Sequence, residues 1–425
     1  MWAKLALVWK IKEVRYKVLF VLGILIVFRI TAHIPIPGVN LAALRAFFQQ
    51  NQFLGLLNIF SGGGYDTFSV VMLGVGPYIT ASIIFQLLTM IVPSLEKLQK
   101  EGERGQEQIN QWTRYLAVPM AILQGYGTIT LIRRSSSTVL PTLTTLDFII
   151  ALVTITAGTI FLMWLGELIS EKKIGNGISL MIFAGITARL LSQAQRALAV
   201  FDGSQTLQWA VFLAIAVLTV AAVVFVTEAM RKIPVTYARR IRGNQTVGGA
   251  DTHLPLRVNQ AGVIPIIFAV SLVLTPTLVS QFFVNSKILW LQHLASTTLR
   301  LFQQGGTVYD ITYFVLVFVF TYFYTAVVFH PQQVAENLQK QGGFIPGIRP
   351  GRMTAEYLSF VSTRIILAGA AFLGIIAILP NLIQRFTNVT TLIVGGTSLL
   401  IVVSVVIETV KQIEGQLIIR DYEGF

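Results

Sequence analysis

At least seven separate stretches of this chain, 67–92, 115–132, 207–227, 258–286, 311–329, 365–384 and 386–407, run 18 residues or more without a single Asp, Glu, Lys or Arg. The apolar core of a bilayer takes roughly 20 helical residues, so each stretch is long enough to cross one. Strands are the poorer reading, because the runs lack the apolar/polar alternation of a membrane barrel and lipid-exposed backbone can otherwise be satisfied only within helices. The 425 residues are 54% apolar and only 12% charged, against about 25% charged in a soluble domain. These values exclude an ordinary soluble enzyme. With no cysteine, disulfides and thiolate metal sites are excluded as well.

Less clean stretches bring the candidate helices to ten, at about 18–34, 67–92, 114–133, 147–166, 175–195, 208–230, 259–284, 309–330, 361–381 and 388–408. Arg29 in the first and Arg189 in the fifth are read as outer-end residues whose heads snorkel to the interface. Ten spans put both ends of the chain on one side. Sorted by alternating loop, 23 of the 32 basic residues fall on the side of the ends and 8 on the other. The positive-inside rule therefore places the ends in the cytoplasm. A basic segment precedes the first span, and no small-residue cleavage site clearly follows before Pro35 and Pro37, so that span is not read as a cleavable signal. The segment from Trp2 to Lys17, with Leu5, Trp9 and Ile11 among five Lys/Arg, is a candidate interfacial helix.

Three segments break the pattern. Residues 53–66, FLGLLNIFSGGGYD, hold an apolar run too short to span, then three glycines, then what reads as a full span from Thr67. Non-helical backbone at membrane depth is tolerated only where protein or a water-filled cavity covers it. The piece therefore either folds back into the bundle or grazes the membrane as an external loop. The connections 231–258 and 331–358 are longer than packing requires and combine arginine with turn-forming residues. Loops longer than about 12–15 residues tend to be functional or disordered. They are either solvated basic loops that fix orientation or docking surfaces for a large anionic partner, structured RNA or an acidic protein face.

Interior Asp, Glu, Lys and His mark proton relays, ion coupling and intramembrane catalysis, and the candidate spans carry almost none. His33, His253, His293 and His330 sit at span ends or in loops without ligand spacing. There is no nucleophile elbow, Walker loop or selectivity-filter motif. No cofactor is implied.

The segments GVGPYITASIIFQLLT (74–89), IGNGISLMIFAGI (174–186), THLPLRVNQAGVIPIIFA (252–269), FIPGIRPG (344–351) and GGTSLLIVV (395–403) closely resemble the signature segments of the SecY/Sec61-alpha family, the channel subunits of Sec protein translocases, and occur in the same order. The resemblance runs from roughly residue 10 to 410. It implies an all-α integral membrane protein of ten transmembrane helices, in two inverted five-helix halves hinged as a clamshell around a central hourglass pore. Here the halves would be about 18–200 and 201–408, flanked by cytoplasmic segments 1–17 and 409–425.

On the same basis, residues 53–66 would be a plug stoppering the external funnel, with Leu56, Leu57, Ile59, Phe60, Ser61, Gly62, Gly63 and Gly64 at its heart. The pore ring would be Ile79 and Ile83 on the second span, Ile178 and Ile182 on the fifth, Ile267 on the seventh and Ile401 on the tenth, with Ile266 replacing Ile267 if the match slips by one. The pairs 79/83 and 178/182 are four apart and so face one way along a helix. Apolar side chains at a constriction exclude hydrated ions by dewetting and hold no passing segment tightly. A lateral gate, between spans two and three on one side and seven and eight on the other, would use Ser82, Gln86, Ser271 and Thr275. Hydrogen bonds there would contribute about 0.6 kcal/mol each.

Arg349, between Pro346 and Pro350, matches the characteristic docking arginine of the family, with Arg239 and Arg240 as weaker candidates. The implied partners are the subunits SecE and SecG, the motor ATPase SecA or the ribosome, and polypeptides bearing signal sequences. The membrane implied would be a bacterial plasma membrane or a thylakoid membrane of cyanobacterial or plastid type, the short termini being an expectation in favour of the latter. The rival reading is a secondary transporter of a small solute, which can share inverted repeats and broken helices. That rival expects midplane binding residues and has no need of large basic loops.

Overall fold

The computed structural model of the chain describes residues 9–44, 61–135, 144–199, 206–237, 240–242, 245–247, 251–284, 286, 288–303, 306–387 and 396–423. In chain order the helices are α1 (Lys12–Thr31), α2 (Gly76–Ile91), α3 (Pro93–Lys100), α4 (Glu103–Ser135), α5 (Thr145–Glu171), α6 (Gly177–Ala199), α7 (Thr206–Glu228), α8 (Ile264–Phe283), α9 (Leu289–Leu301), α10 (Thr307–Val328), α11 (Pro331–Lys340), α12 (Arg352–Thr387) and α13 (Gly396–Glu423). Five strands interleave them: β1 (Met230–Tyr237), β2 (Arg240–Arg242), β3 (Gln245–Val247), β4 (Asp251–Arg257) and β5 (Gly343–Phe344). Each of the ten expected stretches carries a helix. Among the described residues, five helical segments are long and apolar enough to cross a membrane, or six if α2 and α3 form one span broken by a 101° bend. That bend sits at Val92, which is extended because a residue before proline is pushed out of the α region.

The chain divides into two compact units. One comprises Met1–Gly203, Thr275–Gln304 and Val405–Phe425; the other comprises Ser204–Leu274 and Gly305–Ser404. The divisions fall inside two helices, between Leu274 and Thr275 of α8 and between Ser404 and Val405 of α13.

In the first unit a buried cluster joins Ile36, Tyr65, Phe68, Met72 and Leu73 to Ile129 and Ile132 of α4 and to Ala151 and Ile155 of α5. The turn 61–75 is therefore core, and the expected helical run from Thr67 begins only at Gly76. Positive φ at Phe68 (46°) and Gly74 (59°) is incompatible with a continuous helix. The turn satisfies its backbone against the segment that follows α1 and within itself instead. Ile36 N donates to Phe68 O (3.0 Å) and Val70 N to Ile34 O (3.1 Å), while Ser69 N donates to Gly64 O (2.9 Å) inside the turn. Gly158 of α5 lets Val70 approach so closely that a Cβ there would strike the Val70 carbonyl.

Two features set the α5–α6 connection. α5 opens on a capping box between Thr144 and Asp147, which satisfies two orphan amides at once. It closes near Lys173 (φ 56°) and Gly175 (φ 138°). Ser170 Oγ accepts from Gly177 N (2.9 Å) and donates to Gly166 O (3.0 Å), riveting the start of α6 onto α5. From α13, Gln416 donates to Lys172 O (3.2 Å) and Lys173 O (2.6 Å), covering carbonyls at the end of α5. Helix α1 starts at Lys12 and runs unbroken into the first span, so residues 12–17 are not part of a separate interfacial helix. Residues 1–8 lie outside those described.

In the second unit, the connections expected as irregular basic loops contain an antiparallel sheet in the order β4-β1-β5, which departs from an all-α architecture. Met230 pairs with Arg257 at one end of the β1–β4 ladder and Thr236 with Asp251 at the other. Alternation puts Ile233 and Val235 inward, where they pack with Leu256, Leu338, Ile345, Leu358 and Val361. Helices α10 and α12 approach closely where Gly374 lies under the Phe314 ring, and Asn381 donates to Asp310 (2.5 Å) between them.

Large apolar side chains stay exposed along the apolar helices; on α7, for example, Leu213, Val217, Leu218 and Phe225 are all more than 60% exposed. A surface of this kind requires lipid or protein cover. Gly158→Ala is expected to cost about 1–3 kcal/mol through overpacking against a backbone atom. Gly23→Ala on α1, which meets open space, is expected to be neutral or to gain about 0.5–1 kcal/mol. Thermal unfolding midpoints of the two purified variants against the parent protein check this contrast.

Candidate functional site

The glycine turn is built around an arginine. Arg29, near the end of α1, donates from Nη1 to the carbonyl of Gly62 at 2.5 Å. Gly62 takes φ +69°, and a Cβ there would lie 2.6 Å from Phe28 Cζ and 3.3 Å from Gly185 Cα. Only glycine fits both the conformation and the space. Thr67 Oγ1 donates to Ala32 O (2.8 Å) one step along. Ser61, Gly62 and Gly64 are buried and Gly63 half-buried, while Leu56, Leu57, Ile59 and Phe60 lie outside the described residues. The reading of Arg29 as a snorkelling residue is corrected. Its head is half-buried against a peptide carbonyl, because a charge taken partly out of water is stabilised by a hydrogen-bond partner. The sequence signal was there in an arginine placed late in an apolar span, upstream of a glycine triplet.

The isoleucines fall as follows. In the first unit Ile79 (8% exposed) and Ile182 (1%) are buried, and Ile83 and Ile178 are half-buried. Ile178 also packs on α5, its Cγ1 lying 3.4 Å from where a Cβ on Gly166 would be. In the second unit Ile266, Ile267 and Ile401 are all buried. The register alternative between Ile266 and Ile267 is not separated by burial.

The candidate gate residues make hydrogen bonds along their own helices. Gln86 Nε2 donates to Ser82 Oγ (3.1 Å) on α2, and Ser271 Oγ donates to Ile267 O (2.9 Å) on α8. Gln86 Oε1 is buried without a partner, an acceptor free for a group from outside its helix. Thr275 is exposed, one residue before Pro276 inside α8.

On the second unit the sheet presents Arg349. Ile345 is buried, and Ile348 packs on the same cluster as Ile233 and Val235. Ile348 N donates to Ile345 O (3.0 Å), and Thr354 Oγ1 donates to Arg349 O (2.9 Å). Gly347 (φ 81°) and Gly351 (φ 90°) turn the chain on either side. Arg349 is thus an exposed guanidinium at the tip of a loop whose base is anchored in a core. Arg240 belongs to β2, and Arg239 lies outside the described residues. The length of these connections and their basic character were legible in sequence, but the sheet that stiffens them was missed. Its signal was the alternation of inward Ile233 and Val235 with outward Lys232 and Pro234.

Long apolar helices, a buried non-helical turn and a stiff basic extension define a polytopic helical membrane protein with the fold of protein-conducting channels. Solved structures of that kind are similar to it: "The structure of a protein conducting channel" at TM-score 0.60 and 18% identity, over 93% of this chain and 90% of the other. A SecY whose plug domain is described as stabilising the closed state and maintaining a membrane seal matches at TM-score 0.61 and 20% identity, with the same coverage. Sec61 from the canine ribosome-channel complex follows at 0.57 and 18%, also over 93% and 90%.

The SecY family model matches residues 69–410. Protein translocase subunit SecY of Streptomyces scabiei is 43% identical over 98% of both chains, and that of Mycobacterium tuberculosis 42% identical over 97% of both. The chain belongs to the SecY family.

Arg29→Ala removes a charged donor from a carbonyl that has been taken out of water, with an expected cost of about 1.5–3 kcal/mol. The unfolding midpoint of Arg29→Ala should fall clearly, and Arg29→Lys, which keeps a donor, should recover part of the loss.

Proposed function

We propose that this chain is the polypeptide-conducting subunit of a Sec translocase, a passive pore through which unfolded secretory chains cross the membrane and from which apolar segments leave sideways into lipid. The observation that carries the reading is the membership of nearly the whole chain in a family whose relatives are named protein translocase subunits. A near-absence of ionisable residues from the spans supports it. The relatives are not carriers, and nothing specific favours the small-solute transporter.

In this reading ten spans form two inverted halves, 18–200 and 201–408, around an hourglass pore, with both ends of the chain in the cytoplasm. Ile79, Ile83, Ile178, Ile182, Ile267 and Ile401 form its constriction. A ring of branched apolar side chains excludes hydrated ions because a narrow apolar throat dewets, yet it gives every threaded sequence the same weak surface. Residues 53–66 act as the plug, and the Arg29–Gly62 hydrogen bond supports a fixed base for it. Ser82, Gln86, Ser271 and Thr275 lie along the lateral gate. Weak polar contacts suit a seam that opens, since an apolar signal sequence gains about 25 cal/mol per Å² of apolar surface on reaching lipid.

Arg349 docks the ribosome or the motor ATPase SecA, with Arg239 and Arg240 beside it. A guanidinium pairs bidentately with either phosphate or carboxylate. A ribosome-bound relative, canine Sec61, supports the first partner. SecE and SecG complete the membrane complex, in a bacterial plasma membrane or a thylakoid membrane. The energy for transport comes from the docked partner.

A stalled translocating chain should crosslink to photoprobes at Ile83, Ile182 and Ile401 and not to probes at exposed positions of the same helices; labelling that is independent of an engaged substrate would count against the pore. Arg349→Glu should abolish motor-driven translocation in reconstituted vesicles while the protein remains folded and inserted, and unimpaired export would remove the docking role.

A further inference from the structure

The external connection between the seventh and eighth spans contains α9, a helix the sequence reading left as loop, and its faces divide in an unusual way. At about 100° per residue, Leu291, Ala295, Thr298 and Phe302 share one arc. Ala295 is buried and the other three half-buried, so this arc packs on the protein. The next arc holds Trp290, Leu294 and Leu301, exposed by 65%, 61% and 43%, with Thr297 among them. The remaining arc is polar and exposed: Gln292, His293, Ser296 and Arg300, interrupted only by Leu289 at the helix start.

A helix at the rim of a soluble protein needs a packed face and a wet face. α9 has those two and an apolar flank between them, free of ionisable groups. Five residues, 284–288, join α8 to α9; at no more than about 3.6 Å each they reach less than about 22 Å. α9 is therefore held near the membrane exit of α8, whose lipid-length segment is Ile264–Gln281. Val279 and Phe283 at that end of α8 and Ile288 before α9 are exposed by 50%, 41% and 50%, so apolar side chains are exposed at both ends of the connection as well as on the flank of α9. A tryptophan at the head of such a flank suits the headgroup boundary.

We infer that α9 is an interfacial helix whose Trp290–Leu294–Leu301 flank is embedded in the acyl boundary of the external leaflet, with Gln292, Ser296 and Arg300 facing water. The occupant of the flank is lipid. The helix then ties the outer end of α8, the helix that bears Ser271 and Thr275, to the outer leaflet. This assignment requires that α8 and α10 be membrane spans and that the basic connections face the cytoplasm. It does not depend on the pore or the gate.

The cysteine-free sequence makes the test direct. Single cysteines at 292, 294, 295, 296 and 301 in the full-length chain, assembled in its translocase and reconstituted in phosphatidylethanolamine/phosphatidylglycerol vesicles, are labelled with a nitroxide. Relaxation by oxygen, which partitions into lipid, is compared with relaxation by a water-soluble nickel chelate. Oxygen should dominate at 294 and 301 and nickel at 292 and 296, with neither effective at 295. Nickel access at 294 equal to that at 296 would put the flank in water and overturn the proposal. Protection from both reagents at 294 and 301 would put a protein partner there and overturn it equally. Translocation activity of each labelled complex, measured in parallel, reports separately on the channel reading.

Discussion

The constraint on which the rest of this structure depends is that backbone N–H and C=O groups buried away from water must find partners inside the protein. Regular helices meet it by themselves. The turn 61–75 does not, and the first unit is organised around the repair. Phe68 O and Val70 N pair with Ile36 and Ile34 just past α1, a threonine hydroxyl reaches the Ala32 carbonyl, and Arg29 takes the Gly62 carbonyl. Glycines at 62 and 158 clear the space this requires. An arginine can bring a charge-assisted donor so far along an apolar helix because its long stem can lie against apolar neighbours while the head binds.

A different problem is solved on the second unit. A long polar connection carries a large conformational entropy cost when a partner orders it on binding. Here the ordering is already built in. The β4-β1-β5 sheet and the cluster of Ile233, Val235, Ile345 and Leu358 beneath it hold the base of the loop, so Arg349 is displayed from a fixed platform. Apolar burial at the foot of the loop and exposure of charge at its tip both follow from this packing.

The parts of the fold legible in sequence were those governed by local composition. Charge-free runs announced helices because length and hydropathy alone decide whether a segment can cross lipid. The glycine triplet marked a break because no residue but glycine relaxes the backbone so cheaply there. The sheet was hidden because its strands are short and interrupted by Pro234 and Pro255, and because β1 pairs with β4 across more than a dozen intervening residues. Nor could the sequence tell that the apolar run from Thr67 opens with nine residues of turn, since hydropathy does not distinguish buried turn from buried helix.

From the sequence alone came the membrane class, the number of apolar stretches, the asymmetry of basic charge and the resemblance that pointed to the family, all properties of residue type and order along the chain. Only the tertiary structure decided what Arg29 binds, that Gly62 and Gly158 are required by close approach, that Ile178 rests on Gly166, and that α9 is a helix with three distinct faces. Each of these depends on which segments distant in the chain come within contact distance, and the free energy of such a contact is set by the shape and polarity of both partners together.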